Sequence, residues 1–328
     1  MSIAIQTLQP SAQNTFTKKL SGGTSAPDLN DTYGYMAIVD RALPGLGLTN
    51  CMFRGDKSLT LFQAQKQKFD FAYKELHLQP GDEVLEIGCG NGDFGAYLKN
   101  RGVNYTGLTP VIAQHQNCLN KGLNVECKRF QDFETSKKYK AVIAMGIPEH
   151  LCNYHDLRSG EQLLRYKEFF EFCHHHIQYG GSLYFQSMLF PENNIPDLDE
   201  MLKAKKGDPL WHYYLLTWFY PESWLGTMSQ YKEASKGLFV FETEIDGRLD
   251  YVITTDKWGK MVMRFNLLKA RDWKKWRVMS GLAIKSIYQR MKGDKKLYMQ
   301  LQSFIVSANN VVFANGTMTH TFSIARKI

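Results

Sequence analysis

No run in the 328 residues approaches the roughly 20 uninterrupted apolar positions that a membrane-spanning helix needs, so any membrane contact is expected to be peripheral. The six cysteines (Cys51, Cys89, Cys118, Cys127, Cys152 and Cys173) include no CxxC pair, which argues against a zinc ribbon or a dithiol redox centre. The first residues, MSIAIQTLQPSAQNTFTKKLSGG, lack the apolar stretch of a secretory signal, so the expectation is a cytoplasmic protein with free thiols. Internal repeats and low-complexity tracts are also missing, which argues against solenoids and fibres. What remains is a chain long enough to bury a large core without disulfides.

Its formal net charge of +8 is concentrated. Residues 256–298 hold 13 Lys or Arg against three Asp, interleaved with Trp258, Met261, Met263, Phe265, Leu267, Trp273, Trp276, Met279 and Tyr288. Such a pattern suits peripheral contact with an anionic membrane, or a solvated helical face. No nucleic-acid recognition motif accompanies the charge, so no nucleic-acid partner is expected. The oligomeric state is left open.

Along the chain, residues 1–30 are rich in Ser, Thr, Gln, Asn and Gly and read as a flexible arm. Residues 60–76 place Leu61, Ala64, Ala72 and Leu76 near one helical face, with Thr60 and Gln63 at capping-box spacing, and the helix is expected to stop at Pro80-Gly81. Short β-rich runs then alternate with helical patterns: 83–87, 104–108, 124–128, 140–145 and 182–188. That is the βαβ grammar of a parallel sheet. Thr109-Pro110 reads as N-cap and first helical residue, and Ser159 with Gln162 as another capping box, opening a helix that runs to about Tyr179-Gly180-Gly181. From about 190 to 300 the alternation breaks down and an aromatic cluster (Trp211, Tyr213, Tyr214, Trp218, Phe219, Tyr220, Trp224) reads as a lid; 239–245 and 318–326 read as returning strands.

The sharpest local signal is Leu85-Glu86-Ile87-Gly88-Cys89-Gly90-Asn91-Gly92, an apolar strand running through GxGxG into a helix. Glycine permits close backbone approach to a ligand. The spacing differs from the GxGxxG of dinucleotide enzymes, and the acidic residue before it suits a bound methionine moiety better than a pyrophosphate.

Residues 60–92, TLFQAQKQKFDFAYKELHLQPGDEVLEIGCGNG, resemble without a gap the TLxEAQxxKxDxxxxKLxLxPGxxVLDIGCGWG pattern of the cyclopropane-fatty-acid and mycolic acid cyclopropane synthases, a family of class I S-adenosylmethionine-dependent methyltransferases. Glu86 replaces the family Asp and Asn91 the family Trp. The similarity runs from about residue 48 to the end and weakens after 190. It implies an α/β, Rossmann-like fold with a mostly parallel seven-stranded sheet, divided into an arm (1–30), a helical segment covering the cofactor site (31–80), a cofactor-binding core (81–190) and a lid with the returning strands (191–328). For S-adenosylmethionine it implies a loop of Glu86, Gly88, Cys89, Gly90 and Gly92, with Leu108, Thr109 and Gln114 at the (V/L)T-x-x-x-x-Q positions. Phe130 and Gln131 stand where the family has the GWxxF stretch, and Met145, Thr49 and Asn50 join the same set.

The resemblance also implies methyl transfer to an electron-rich alkene carbon, after which a proton must leave. A bicarbonate base is held in the family by Cys, Glu, His, Ile and Tyr; Cys51, Glu149 and Tyr251 match three of the five. Gln186 stands in place of the histidine and Met188 in place of the isoleucine. A glutamine donates hydrogen bonds but accepts no proton at neutral pH, so bicarbonate is in doubt and Glu149 is the candidate base itself. The tract His174-His175-His176 points three ways on a helix, and no metal is expected.

The expected function is C-methylation, with or without cyclopropane closure, of an apolar lipid, isoprenoid or specialised metabolite. Plant alkaloid N-methyltransferases share the family and a motif like Glu149-His150-Leu151-Cys152-Asn153-Tyr154, so N-methylation of an amine, with His150 as Glu149's companion, is the rival. A lipid-binding protein that lost its activity is the third reading.

Overall fold

The computed structural model describes residue 20 and residues 22–42, 49–263 and 270–328. The expected arm lies outside the described residues for 1–19 and 21, as do 264–269 of the basic segment.

Seven strands form one sheet: β1 (Glu83–Ile87), β2 (Asn104–Leu108), β3 (Val125–Glu126), β4 (Tyr139–Met145), β5 (Ile177–Leu189), β6 (Phe239–Asp246) and β7 (Thr319–Lys327), in the order β3-β2-β1-β4-β5-β7-β6. Strands β1 to β5 pair in parallel, and β7 lies antiparallel between β5 and β6. The mostly parallel sheet expected from the sequence is therefore present.

Side chains alternate across each strand and meet two helical layers. On one face Leu85, Ile87, Val142, Ala144, Leu183 and Phe185 pack with Tyr166, Phe169 and Phe172 of a long helix. On the other, Val84, Ala141, Ile143, Tyr184 and Ile324 pack with Phe69, Phe71 and Leu98. Burial on both faces explains why most of β4 reads as a continuous apolar run.

The helices are α1 (Ala26–Ala42), α2 (Leu61–Glu75), α3 (Asp93–Lys99), α4 (Ile112–Asn120), α5 (Tyr154–Arg158), α6 (Gln162–His176), α7 (Leu198–Lys203), α8 (Trp211–Leu216), α9 (Met228–Ala234), α10 (Arg248–Met263), α11 (Ala270–Met291), α12 (Lys296–Ile305) and α13 (Ala308–Ala314). The capping box of α2 is as expected: the Thr60 hydroxyl accepts from the Gln63 amide and the Gln63 side chain accepts from the Thr60 amide. Its end comes earlier than Pro80, because His77 takes a left-handed conformation (φ 50°) right after the last turn.

Two helix starts differ from the sequence reading. Thr109 is not the cap of α4; its hydroxyl accepts from the Val111 amide in a turn before the helix, and Val111 occupies the cap position. Ser159 closes α5 instead of opening α6, with its hydroxyl donating to the Asp156 carbonyl, and the real capping box pairs Asn153 with Asp156. Strand β5 already starts at Ile177, so Tyr179-Gly180-Gly181 belongs to the strand, beside a register shift opposite Tyr139/Ala141.

Residues 22–30, part of the expected arm, are pinned down. The Gly23 amide donates to Asp156 Oδ2 at 3.0 Å and the Thr24 amide to the His150 carbonyl at 3.0 Å, after which α1 begins. Arg165, nearly buried, pairs with Asp156, Glu161 and Glu168 and holds that anchor in place. Where a lid was expected, α8 packs on α12 and α13, α10 on α13, and α11 on α12 and α1.

The chain leaves β1 toward β2 on one side, while β4 adds on the other. A sheet whose order reverses this way opens a crevice at the carboxyl ends of those strands.

Candidate active site

A cavity of about 180 Å³ lies at that crevice, walled by the loop after β1, the turn after β4, the end of β5, and residues from α1, α10 and β7.

One half is built around the glycine loop. Gly88, Gly90 and Gly92 all have positive φ (66°, 55° and 77°), a region glycine enters without strain. Their reasons differ. A Cβ on Gly90 would meet no protein atom within 4 Å, and this residue lines the cavity, so the missing side chain leaves open space there. A Cβ on Gly88 would sit 1.9 Å from Ile147 Cδ1, and one on Gly92 2.5 Å from Leu123 Cδ1. Gly92 caps α3 between the lining residues Asn91 and Asp93.

Beside the loop, the buried Glu86 carboxylate accepts from the Tyr105 hydroxyl at 2.6 Å. Burial pushes Glu86 up to about 8, against the opposing pull of Tyr105 and Lys68. Lys68 is wholly buried and pulled down to about 8 by desolvation; its Nζ donates to Thr49 Oγ1 and to the Asn50 carbonyl, fixing that turn at the cavity wall. Across the cleft the Thr109 hydroxyl donates to Gln114 Oε1 at 3.0 Å. Leu108, Phe130, Gln131, Cys89 and Met145 complete this wall, Phe130 also standing edge-on to Phe169 and Phe172. Open space at Gly90, polar groups from Glu86, Thr109 and Gln114, and an apolar flank at Leu108 and Phe130 fit a ligand with an amino-acid end and a flat ring, as S-adenosylmethionine has.

The other half holds Glu149, on the 3₁₀ turn Pro148–His150 that follows β4. Glu149 Oε1 accepts from the Met188 amide at 2.7 Å, and Oε2 is buried with no protein partner among the described residues. Burial raises this carboxyl to about 7, offset by the bond from Met188. His150 is pulled down to about 4 by burial and is a neutral ring; Nε2 lies 2.9 Å from the Tyr33 hydroxyl and Nδ1 3.0 Å from Ser223 Oγ. Tyr33, Tyr220 and Tyr251 line this end, and burial keeps all three phenols protonated, Tyr220 being raised to about 12. Gln186 is at the wall as well, its Oε1 accepting from the Tyr184 hydroxyl at 3.3 Å.

Cys51 lies just behind the cavity wall. It is fully buried outside the cavity lining, its thiol donating to Gln65 Oε1 at 3.4 Å, and burial raises it to about 11. The thiol stands directly behind Gln65, which lines the cavity.

Sequence reasoning missed Tyr33, Tyr220 and His320, all at the cavity wall. Tyr33 lay beyond the quoted motif and Tyr220 inside the aromatic lid cluster, while His320 is a polar residue within an otherwise strand-like run, the one signal that was available. Of the histidine tract, His174 faces the Ile328 carbonyl, His175 faces Lys138 and His176 faces the Phe172 carbonyl. Among the described residues no group of His, Cys, Asp and Glu has metal-site geometry.

The family model for mycolic acid cyclopropane synthetase matches residues 44–289. A probable fatty acid methyltransferase of Mycobacterium tuberculosis is 30% identical over 115 residues, covering 33% of this chain and 27% of that protein. Cyclopropane mycolic acid synthase 2 of Mycobacterium leprae is 26% identical over 227 residues, covering 64% of this chain and 70% of the relative. The chain thus spans about a quarter of the first relative and about seven-tenths of the second. Among solved structures, mycolic acid cyclopropane synthase CmaA1 complexed with SAH and CTAB superposes with a TM-score of 0.67 at 19% identity, over 93% of this chain and 99% of that one.

Proposed function

The chain belongs to the mycolic acid cyclopropane synthetase family of S-adenosylmethionine-dependent methyltransferases, and from that premise we propose that it methylates an alkene carbon of an apolar lipid, isoprenoid or related metabolite. Bound S-adenosylmethionine supplies an electrophilic methyl carbon. Glu86, Thr109, Gln114 and the bare backbone at Gly90 hold it at one end of the cavity. The reading is carried by Glu149: a buried carboxylate near its own titration point, one oxygen tied to Met188 and the other unclaimed, at the opposite end. Its free oxygen takes the departing proton. Tyr33, Tyr220 and Tyr251 line that end and exclude water around the positive charge that develops on the acceptor.

Incubation of lipid extracts with the protein and methyl-labelled S-adenosylmethionine tests this. A product heavier by one methylene, with the label on carbon, is expected; label found only on nitrogen contradicts it. One observation favours that second outcome: the Glu149 carboxylate stands among three tyrosines, a setting that also suits an amine. No binding of S-adenosylmethionine in calorimetry would leave the inactive lipid-binding reading.

Membrane contact is proposed at α11. Trp276, Ile284, Ile287 and Met291 are exposed along a helix that also carries Arg277, Lys285 and Arg290, so an apolar stripe is flanked by positive charge. Among the described residues no helix is long and apolar enough to cross a membrane. Co-sedimentation with phosphatidylglycerol vesicles should fall as salt rises; equal binding to neutral vesicles contradicts an electrostatic contribution.

A further inference from the structure

His320 faces the reacting end from β7, directly opposite Met188 of β5 in the ladder, the residue whose amide holds Glu149. Its ring stacks on Tyr251 (centroids 5.4 Å apart, planes at 16°), and Phe322 meets it edge-on. Nδ1 lies 3.2 Å from Asn50 Nδ2, and Nε2 has no protein partner among the described residues.

The orientation of Asn50 decides which nitrogen of His320 carries the proton. Asn50 Nδ2 also lies 3.0 Å from the Gly247 carbonyl. A carbonyl oxygen only accepts, so the group facing it must be the NH₂. The Asn50 oxygen then faces the Thr254 hydroxyl at 2.9 Å, whose single proton it shares with the Asp250 carbonyl at 2.8 Å, so the Gly247 carbonyl is what fixes the amide. With the NH₂ aimed at Nδ1, a proton on Nδ1 would oppose a donor to a donor. Gly247 is part of the arrangement: a Cβ there would stand 2.3 Å from Nδ1. The Lys68 ammonium, which holds the Asn50 carbonyl, further disfavours a cationic ring, and desolvation is the main reason why His320 is held well below the usual histidine range.

We propose that Asn50 is a positioning residue that locks His320 as a neutral Nε2–H donor aimed into the cavity, so that His320 binds an accepting oxygen of the methyl acceptor and Glu149 is left as the proton acceptor of this end. The proposal rests on the methyltransferase reading for its acceptor but not for its tautomer. It differs from the resemblance-based expectation, in which Asn50 touches the cofactor.

Nitrogen NMR of protein labelled at histidine tests it, with the His320 signal identified among nine histidines by its loss in His320→Gln. The expected result is an Nε2-protonated neutral ring from about pH 6 to 8; an Nδ1–H tautomer or an imidazolium overturns the proposal. Asn50→Asp, which offers only acceptors, should move the proton to Nδ1 or charge the ring while S-adenosylhomocysteine affinity stays within about twofold. An unchanged tautomer, or affinity lost more than about tenfold, overturns the positioning role. With the acceptor found by labelling, His320→Gln should keep more turnover than His320→Phe, and the latter should fall about tenfold. Equal rates overturn the donor role. Failure to bind S-adenosylhomocysteine in the unsubstituted protein, with the tautomer as expected, would instead defeat the function proposed above.

Discussion

The two halves of the cavity are built by different means. The half around Gly90 comes from short, consecutive strand-to-helix turns, so its shape is set by backbone: Ile87 to Asp93 and Leu108 to Gln114. The half around Glu149 gathers side chains from five distant segments, Tyr33 on α1, Glu149 after β4, Tyr220 after α8, Tyr251 on α10 and His320 on β7. A backbone cradle suits a ligand shared across a family. A side-chain enclosure can be redrawn one residue at a time, as Gln186 illustrates.

If the division is right, damage to one half should spare the other. Glu149→Gln should lower turnover by about a thousandfold, measured as methyl transfer with labelled cofactor, while S-adenosylhomocysteine affinity holds. A loss of affinity instead would break the comparison.

The same substitution should stabilise the protein. Glu149 titrates at about 7 in the fold, above the ordinary value of 4.5. A raised carboxyl favours folding most below the ordinary value, and that contribution is lost as pH climbs through 7. Glu149→Gln removes the loss, up to about 3 kcal/mol at pH 8, and should leave stability near pH 4 unchanged. Denaturant titrations at the two pH values check the sign.

In the cradle, Gly90→Val should weaken S-adenosylhomocysteine binding by about tenfold or more, because the new side chain projects into open cavity. Both positions have positive φ, so either substitution strains the backbone, but Gly88→Ala should add a clash with Ile147, for a folding cost of about 1–3 kcal/mol, without projecting into the open space at Gly90. Calorimetry and thermal melts separate the two. The smallest effect is expected at Tyr251: Tyr251→Phe keeps the ring face and most turnover, whereas Tyr251→Leu should lose about fivefold.

The same division governs what could be read from sequence. The strands β1, β2, β4 and β7 and the helix α2 follow from local periodicity and caps, and the cradle residues lie within a few positions of one glycine motif. Thr109 and Ser159 were misplaced because a hydroxyl at cap spacing also closes turns and helix ends, and only tertiary context selects between them. Tyr33, Tyr220 and His320 carry no local mark of proximity to Glu149; they meet through chain crossings some 100 or more residues apart for Tyr33 and His320, and through the irregular segment after β5 for Tyr220. The Cys51 motif matched, and its thiol stands behind Gln65 at the cavity wall.

The most direct test is a crystal structure of the protein with S-adenosylhomocysteine. The account predicts the ligand seated against Gly90, its sulfur facing the free oxygen of Glu149 across the tyrosine-lined space. Ligand bound elsewhere, or Glu149 turned away from the sulfur, would contradict it.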